Sequence, residues 1–422
     1  MKLLAIENKR LVISPMAMAY LLGISLVIFA IHSKWLVLHD SEGNVLFFPP
    51  WIGVLGFSAV ITLTIEKREW FDWGPRIIWI PMLVVIGFVV ARIPIERSTE
   101  SVAEALFVGI MFALYLASRK LGKAILWPLV IAAVIEAISV IAYVLFWARW
   151  DTDELTNGGL ISQTNYAEAT GFMVIGLVAL MALKPSKTWL VATMAALLTI
   201  GILFTGAPIG VVSLAILGIY GAIIYRKRFN LKVLAFIGIV GIVLLLWASF
   251  GPWEQHTERV KATLQDVTSG EINNSEPGQY SWGQGRIPAY KRAIHDVRFF
   301  GHEFDLYSYQ IGKDGTAINS PTETDKSVVI VHNVPLVIVD QIGPVAAIAW
   351  VIVGLWCLWV ASWRLKWLWV GLGSLCLFDH FIWTTLAPYW WIFVGITVWE
   401  WQNGKKEKDD PEEKVHVVQE AA

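Results

Sequence analysis

Charge is the scarcest property of this chain. Asp, Glu, Lys and Arg make up 16% of its 422 residues, against roughly 25% in soluble domains. The net charge is −1, so bulk charge selects no polyanionic partner, and nucleic acid is not expected. Cysteine is nearly absent. Cys357 and Cys376 both lie in apolar runs, which excludes a disulfide framework or a cysteine metal cluster. There is no His-Glu-x-x-His and no metal-spaced cysteine pair. There is also no Gly-x-Ser-x-Gly and no Walker A motif. Metal, serine-triad and nucleotide-driven chemistry therefore have nothing to rest on, and neither a metal nor a cofactor is expected. No internal repeat stands out. The first apolar run, 11–31, lacks a small-residue cleavage site and reads as a span, not a signal peptide.

Apolar sequence, in contrast, is plentiful: 56% of residues are hydrophobic, 23 are tryptophan and the mean hydropathy is +0.59. The fold class expected is an all-α polytopic membrane protein with about 12 transmembrane helices, each near the ~20 residues a bilayer core requires. The spans read as 11–31, 50–66, 77–95, 102–118, 124–148, 166–183, 188–205, 209–225, 231–250, 333–361, 365–383 and 387–401. One large external loop, 251–332, separates the ninth from the tenth. The organisation is thus 1–250 (spans one to nine), 251–332 (loop with site elements), 333–401 (spans ten to twelve) and 402–422 (charged tail).

The short loops give an orientation. One alternating set carries Lys9 and Arg10, Lys67 and Arg68, Arg119, Lys120 and Lys123, Lys184 and Lys187, Arg226 to Arg228, then Arg364 and Lys366. The other set is poorer in basic residues, with Lys34, Arg92, Arg97 and Arg149. The positive-inside rule then puts both termini in the cytoplasm and the long loop on the outer face of the cytoplasmic (inner) membrane. Tryptophans near span ends, such as Trp51, Trp147 and Trp401, fit an interfacial belt. Within the loop, 268–284 ("TSGEINNSEPGQYSWGQ") reads as flexible.

Ionisable groups outside are few. The loop offers Arg286, Arg292, His295, His302 and His332; other outer positions offer Arg92, Arg97 and Arg149; Asp379 and His380 end span eleven. Glu104, Glu136 and Asp340 fall inside spans, where carboxylates call for a functional reading; Glu104 sits near an outer end and is expected to reach water. A histidine can take a proton from a hydroxyl, and an arginine fork suits phosphate. Together they suit group transfer from a phosphate-activated substrate. Each has a structural alternative. Asn165 and Asn333 can be helix caps, Arg286 can pair with Glu276 or Asp296, and Glu136 can pair with another span. Gly301 and Gly343 read as turn and close-packing residues.

Three stretches carry a family resemblance: "GQGRIPAYKRAIHDVRFFGHEFDLY", "HNVPLVIVDQIGPVAAIAWVIVG" and "NGGLISQTNYAEATGF". A Gly-Arg opens the functional part of a late external loop. A glycine turn follows, then His-Asn-x-x-Leu enters a membrane helix with a glycine further on. In these respects the chain resembles the O-antigen ligase and O-antigen polymerase superfamily. The matching positions are Gly285, Arg286, Tyr290, Gly301, His332, Asn333, Leu336 and Gly343, with Asn165 opening a middle span.

The resemblance implies a glycosyltransferase with a polyprenyl-diphosphate-linked glycan as donor. The acceptor would be a hydroxyl on a glycan, a lipid such as lipid A–core, or a protein. That hydroxyl attacks the anomeric carbon with inversion, and the lipid diphosphate leaves. His332 would act as general base or orient the acceptor, and Arg286 would neutralise the diphosphate. Substrate contacts fall to Arg149, Asn165, Asn333 and Asp340. The chain departs from the family after span seven, where a second arginine is usual: here the stretch reads "LFTGAPIGVV", with Pro208 and no arginine. Arg149 is the favoured replacement cation, ahead of Arg292, Arg92 and Arg97. The competing reading is a polysaccharide or lipid transporter or flippase; a purely binding or sensing protein is the third.

Overall fold

The computed structural model describes residues 4–7, 10–31, 38–39, 45–47, 49–65, 72–97, 99–146, 160, 166–183, 187–225, 294–295, 297–301, 310–311, 317–318, 333–378, 382–383 and 386–409. What it describes is overwhelmingly helical. The helices are α1 (Pro15–Phe29), α2 (Pro49–Thr64), α3 (Arg76–Glu96), α4 (Thr99–Leu121), α5 (Leu126–Phe146) and α6 (Tyr166–Leu183). Then follow α7 (Thr188–Phe204), α8 (Pro208–Tyr225), α9 (Val334–Ile342), α10 (Pro344–Val360), α11 (Lys366–Phe378) and α12 (Ala387–Asp409). A 3-10 turn, Gly122–Ile125, joins α4 to α5. Three short antiparallel strand pairs, β1–β2 (Leu4–Glu7 with Arg10–Ile13), β3–β4 (Leu38–His39 with Val45–Phe47) and β5–β6 (Gln310–Ile311 with Ala317–Ile318), complete the described elements.

Two continuous helical segments are long and apolar enough to cross a bilayer: Arg76–Ile95, and the 43 residues Glu104–Phe146 that contain the 3-10 turn. Seven further apolar helices are shorter, such as Pro15–Phe29 and Pro344–Val360. The outer surface is apolar as well as the core. Leu55 is 69% exposed and Trp359 79%, and Leu63, Leu106, Phe146, Trp189, Ile219, Ile223, Ile348 and Leu355 stand out in the same way. A helix apolar on every side belongs inside a large core or in lipid, and these outward faces have no core to enter.

Several spans differ from the sequence reading. The first helix begins at Pro15, because Ser14 caps it by accepting a hydrogen bond from Ala17 N at 3.2 Å and Pro15 suits the first helical position. Leu11–Ile13 belong instead to β2. The run 333–361 is two helices, not one: Gly343 takes φ +98°, which breaks the helical path, and Pro344 has no N–H to continue it. Span eleven stops at Phe378, and Ile382 and Trp383 form a turn. The last helix runs on past 401 to Asp409, into what reads as tail. The ninth span, 231–250, lies outside the described residues, as do most of the 251–332 loop and its 268–284 segment.

Close helix contacts rest on small residues, which let backbones approach where lipid offers no hydrophobic drive. Gly53 of α2 faces Phe29 of α1, and Gly201 of α7 faces Ala137 of α5. Gly371 of α11 faces Val178 of α6, and Gly395 of α12 faces Tyr115 and Ser118 of α4. The helices α4 and α12 run parallel, so Lys123 meets Glu400 in an ion pair beyond the end of α4. Arg119 pairs with Asp72 at 2.6 Å, Lys120 donates to Thr64 O, and Ser362 N–H donates to Glu400. These contacts gather residues 64, 72, 119–123, 362 and 400 at one end of the bundle. α3 starts beside Asp72, so its C-terminal turn with Arg92 lies at the other end, about 24 Å away by helical rise.

Candidate functional site at the break between α9 and α10

The end of the bundle remote from Lys123 and Glu400 is where the resemblance-carrying residues converge, as far as they are described. Asn333 caps α9: its Oδ1 accepts from Leu336 N at 3.1 Å, satisfying a donor that the helix start leaves open. Its Nδ2 donates to Leu377 O, in the last turn of α11, at 3.1 Å. The cap reading of Asn333 therefore holds, and the residue also ties two helices together. Asp340 lies seven residues further on, which returns it to the same face of α9 within about 20°. It is half-buried, and its Oδ1 is out of reach of solvent. Next to it, Gln341 Oε1 accepts from Trp383 Nε1 at 2.7 Å.

The turn 297–301, from the long segment between α8 and α9, is seated on the same break. Gly301 has φ +71°, a region costly for residues with a Cβ, and it lies against the backbone of Gln341 and Ile342. Gly343 in turn faces the carbonyl of Phe299. Phe299 and Phe300 pack on Phe88 of α3 with ring centroids 5.4 and 5.5 Å away. Arg92 Nη1 donates to Phe300 O at 2.8 Å and Gly301 O at 3.0 Å. Arg92 is 3% exposed, and its Nη1 is engaged by these two carbonyls. Arg97 is exposed and ends α3 in a left-handed conformation, φ 54°. The turn and packing reading of Gly301 and Gly343 is what the geometry displays.

The stretch where the family would carry its second arginine is buried. Thr205 Oγ1 and Thr170 Oγ1 lie 2.6 Å apart, and Thr205 donates to Ile202 O. Gly206 takes φ +73° so that the chain can reverse into α8. This turn is packed on α6, the helix that follows Asn165, and Ser213 and Ser374 join α8 to α11 nearby in the bundle. Glu136 is buried on α5, and Glu168 on α6. Glu104 is buried too, at 3% exposure. The expectation that it reaches water is therefore wrong: α4 begins at Thr99 and carries Glu104 a turn inside the packed bundle.

Of the residues expected to act on substrate, only Asn333 and Asp340 are described, and both belong to α9. His332, Arg286, Arg149 and Asn165 lie outside the described residues, as do Asp379, His380, Arg292 and His302. His295 is exposed. Sequence reading missed the roles of Arg92, Trp383 and Phe88. The available signal was an arginine within an apolar run, which normally has a buried partner. No protein-family model matches this chain, and a search of curated proteins returns no significant match.

Proposed function

We propose that this chain is a membrane glycosyltransferase. It transfers a polyprenyl-diphosphate-linked glycan to an acceptor hydroxyl at the outer face of the cytoplasmic membrane, as an O-antigen ligase or polymerase does. One observation carries the reading. Two separate resembling stretches, the turn ending at Gly301 and the helix capped by Asn333, meet at the α9–α10 break. The start of α6 lies at the end of the bundle remote from Glu400, with Gly171 against Leu386 just before α12. In this reading twelve spans place both termini in the cytoplasm, and the charged end with Lys123, Arg119 and Glu400 is the cytoplasmic one, as the positive-inside rule favours.

Chemically, His332 accepts the proton of the acceptor hydroxyl as oxygen attacks the anomeric carbon. The carbon–oxygen bond to the lipid diphosphate breaks, and Arg286 stabilises the charge on the leaving group. Arg149 supplies a second cation. Asn333, Asp340 and Asn165 shape the floor of the site.

The test uses purified protein in liposomes with a labelled polyprenyl-diphosphate glycan and candidate acceptors. Covalent transfer by wild type, abolished in well-folded His332→Ala, is the expected result. Undiminished transfer by that variant ends the general-base role. The second reading, a glycan or lipid transporter, is favoured by the buried carboxylates Glu104, Glu136 and Glu168. Movement of labelled lipid between leaflets with no new glycosidic bond would select it.

A further inference from the structure

Arg92 is expensive where it stands. It is a cation near the end of an apolar helix, almost fully buried, and burial of a cation is tolerated only with good partners. Its partners among the described residues include two main-chain carbonyls, Phe300 O at 2.8 Å and Gly301 O at 3.0 Å. These belong to a turn more than two hundred residues later in the chain. The same turn fills the break between α9 and α10, where Gly301 lies on Gln341 and Gly343 on Phe299. Irregular backbone at such a break is acceptable only where protein covers it, and this turn is the cover.

The consequence concerns α9. It is nine residues long, about 13 Å by helical rise, and it is fixed at both ends. Asn333 holds its start to Leu377. The turn pinned by Arg92, together with the Gln341–Trp383 bond, holds its finish. A tilt of about 10° at the Gly343 end would carry the Asn333 end about 2 Å. A displacement of ~1 Å in a reacting group can reduce rate by about 10²-fold.

We propose that Arg92 is a positioning residue of the transfer site. By clamping the 297–301 turn into the α9–α10 break, it sets the angle at which α9 presents Asn333 to substrate. This rests on the glycosyltransferase reading above. Arg92 touches no substrate, so it acts on the rate of the chemical step and not on donor binding.

The experiment compares full-length wild type, Arg92→Met and Arg92→Lys in lipid nanodiscs, with a purified polyprenyl-diphosphate glycan as donor. Two quantities are read: transfer kinetics, and backbone amide exchange across 297–301. In Arg92→Met, kcat is expected to fall about 10- to 100-fold, donor KM to stay within about twofold, and amide exchange in the turn to rise. Arg92→Lys keeps a donor within reach of the two carbonyls and is expected to recover most of both. A rise in donor KM at constant kcat would make Arg92 a substrate contact and overturn the proposal. So would wild-type kinetics in Arg92→Met, or unchanged exchange in the turn. Failure of both variants to fold would make Arg92 a folding residue only and equally overturn it. If wild type transfers no glycan while the turn still loosens in Arg92→Met, the clamp stands and the glycosyltransferase reading fails.

Discussion

Trp383 donates its indole N–H to Gln341 Oε1 across 2.7 Å, so the turn after α11 is bonded to the last turn of α9. Both groups are shielded from water to a large degree, and a buried polar group left alone is penalised. Trp383→Phe and Gln341→Leu are each expected to lower stability by about 1–3 kcal/mol, because each removes one side of this bond. The double variant loses the same bond only once and is expected to lose less than the sum of the two. Thermal unfolding in detergent, read as a double-mutant cycle, decides; strict additivity would mean that the bond contributes nothing.

Gly395 supplies the second prediction. A Cβ built on it would collide with Ser118 Oγ and stand 2.6 Å from Tyr115 O and 3.0 Å from Arg119 N. Two of those neighbours are backbone atoms of α4, which cannot yield like a side chain. Gly395→Ala is expected to destabilise by about 1–3 kcal/mol, the usual range for overpacking. Ser118→Ala should relieve only the part due to the hydroxyl. A Tm for Gly395→Ala equal to wild type would show that α4 and α12 are free to part.

Asn333 allows its cap and its proposed substrate contact to be separated. Asn333→Asp keeps an oxygen for Leu336 N–H and removes the amide donor to Leu377 O. Asn333→Ala removes both. The cap is worth about 1 kcal/mol and the second bond about as much. The expected order of Tm loss is therefore Ala greater than Asp, with glycan transfer falling in the same order. Full stability with abolished transfer in Asn333→Asp would assign the amide to the substrate.

The second cation that the proposed diphosphate donor would require is the fourth. In the glycosyltransferase reading Arg149 is the favoured partner of Arg286, ahead of Arg292, Arg92 and Arg97. Arg149→Ala is expected to weaken donor use about as much as Arg286→Ala. Arg149→Lys should rescue poorly, since a point charge replaces a two-pronged donor. A silent Arg149→Ala beside an inactive Arg286→Ala would move the second cation elsewhere or make the donor a monophosphate.

Much of the fold was legible because apolar runs here stop abruptly. The runs read at 77–95, 166–183, 188–205 and 209–225 correspond to α3, α6, α7 and α8 within a residue or two. Lys184, Pro185 and the "TGAP" turn punctuate them. The break at Gly343 was not legible from hydropathy, since "QIGPV" keeps the run apolar while Gly343 and Pro344 end its helical path. The burial of Glu104 was hidden as well, because it depends on which helices surround α4 and not on distance from a span end. At the site, the cap at Asn333 could be read from its place before Pro335 and an apolar stretch. The clamp could not, because Arg92 and the carbonyls of Phe300 and Gly301 are joined only by the three-dimensional path of the chain.

The parallel packing of α4 against α12 has a consequence for the order in which the protein is made. Lys123 and its partner Glu400 are 277 residues apart. Tyr389 reaches back 363 residues to donate to Leu26 O. At a synthesis rate of roughly 5–20 residues per second, α4 waits on the order of 15–55 seconds for the helix that covers Tyr115 and Ser118. During that interval the face of α4 that will receive Gly395 is without its partner helix. A chain halted before residue 387 therefore leaves α4 without the helix that packs on Tyr115 and Ser118.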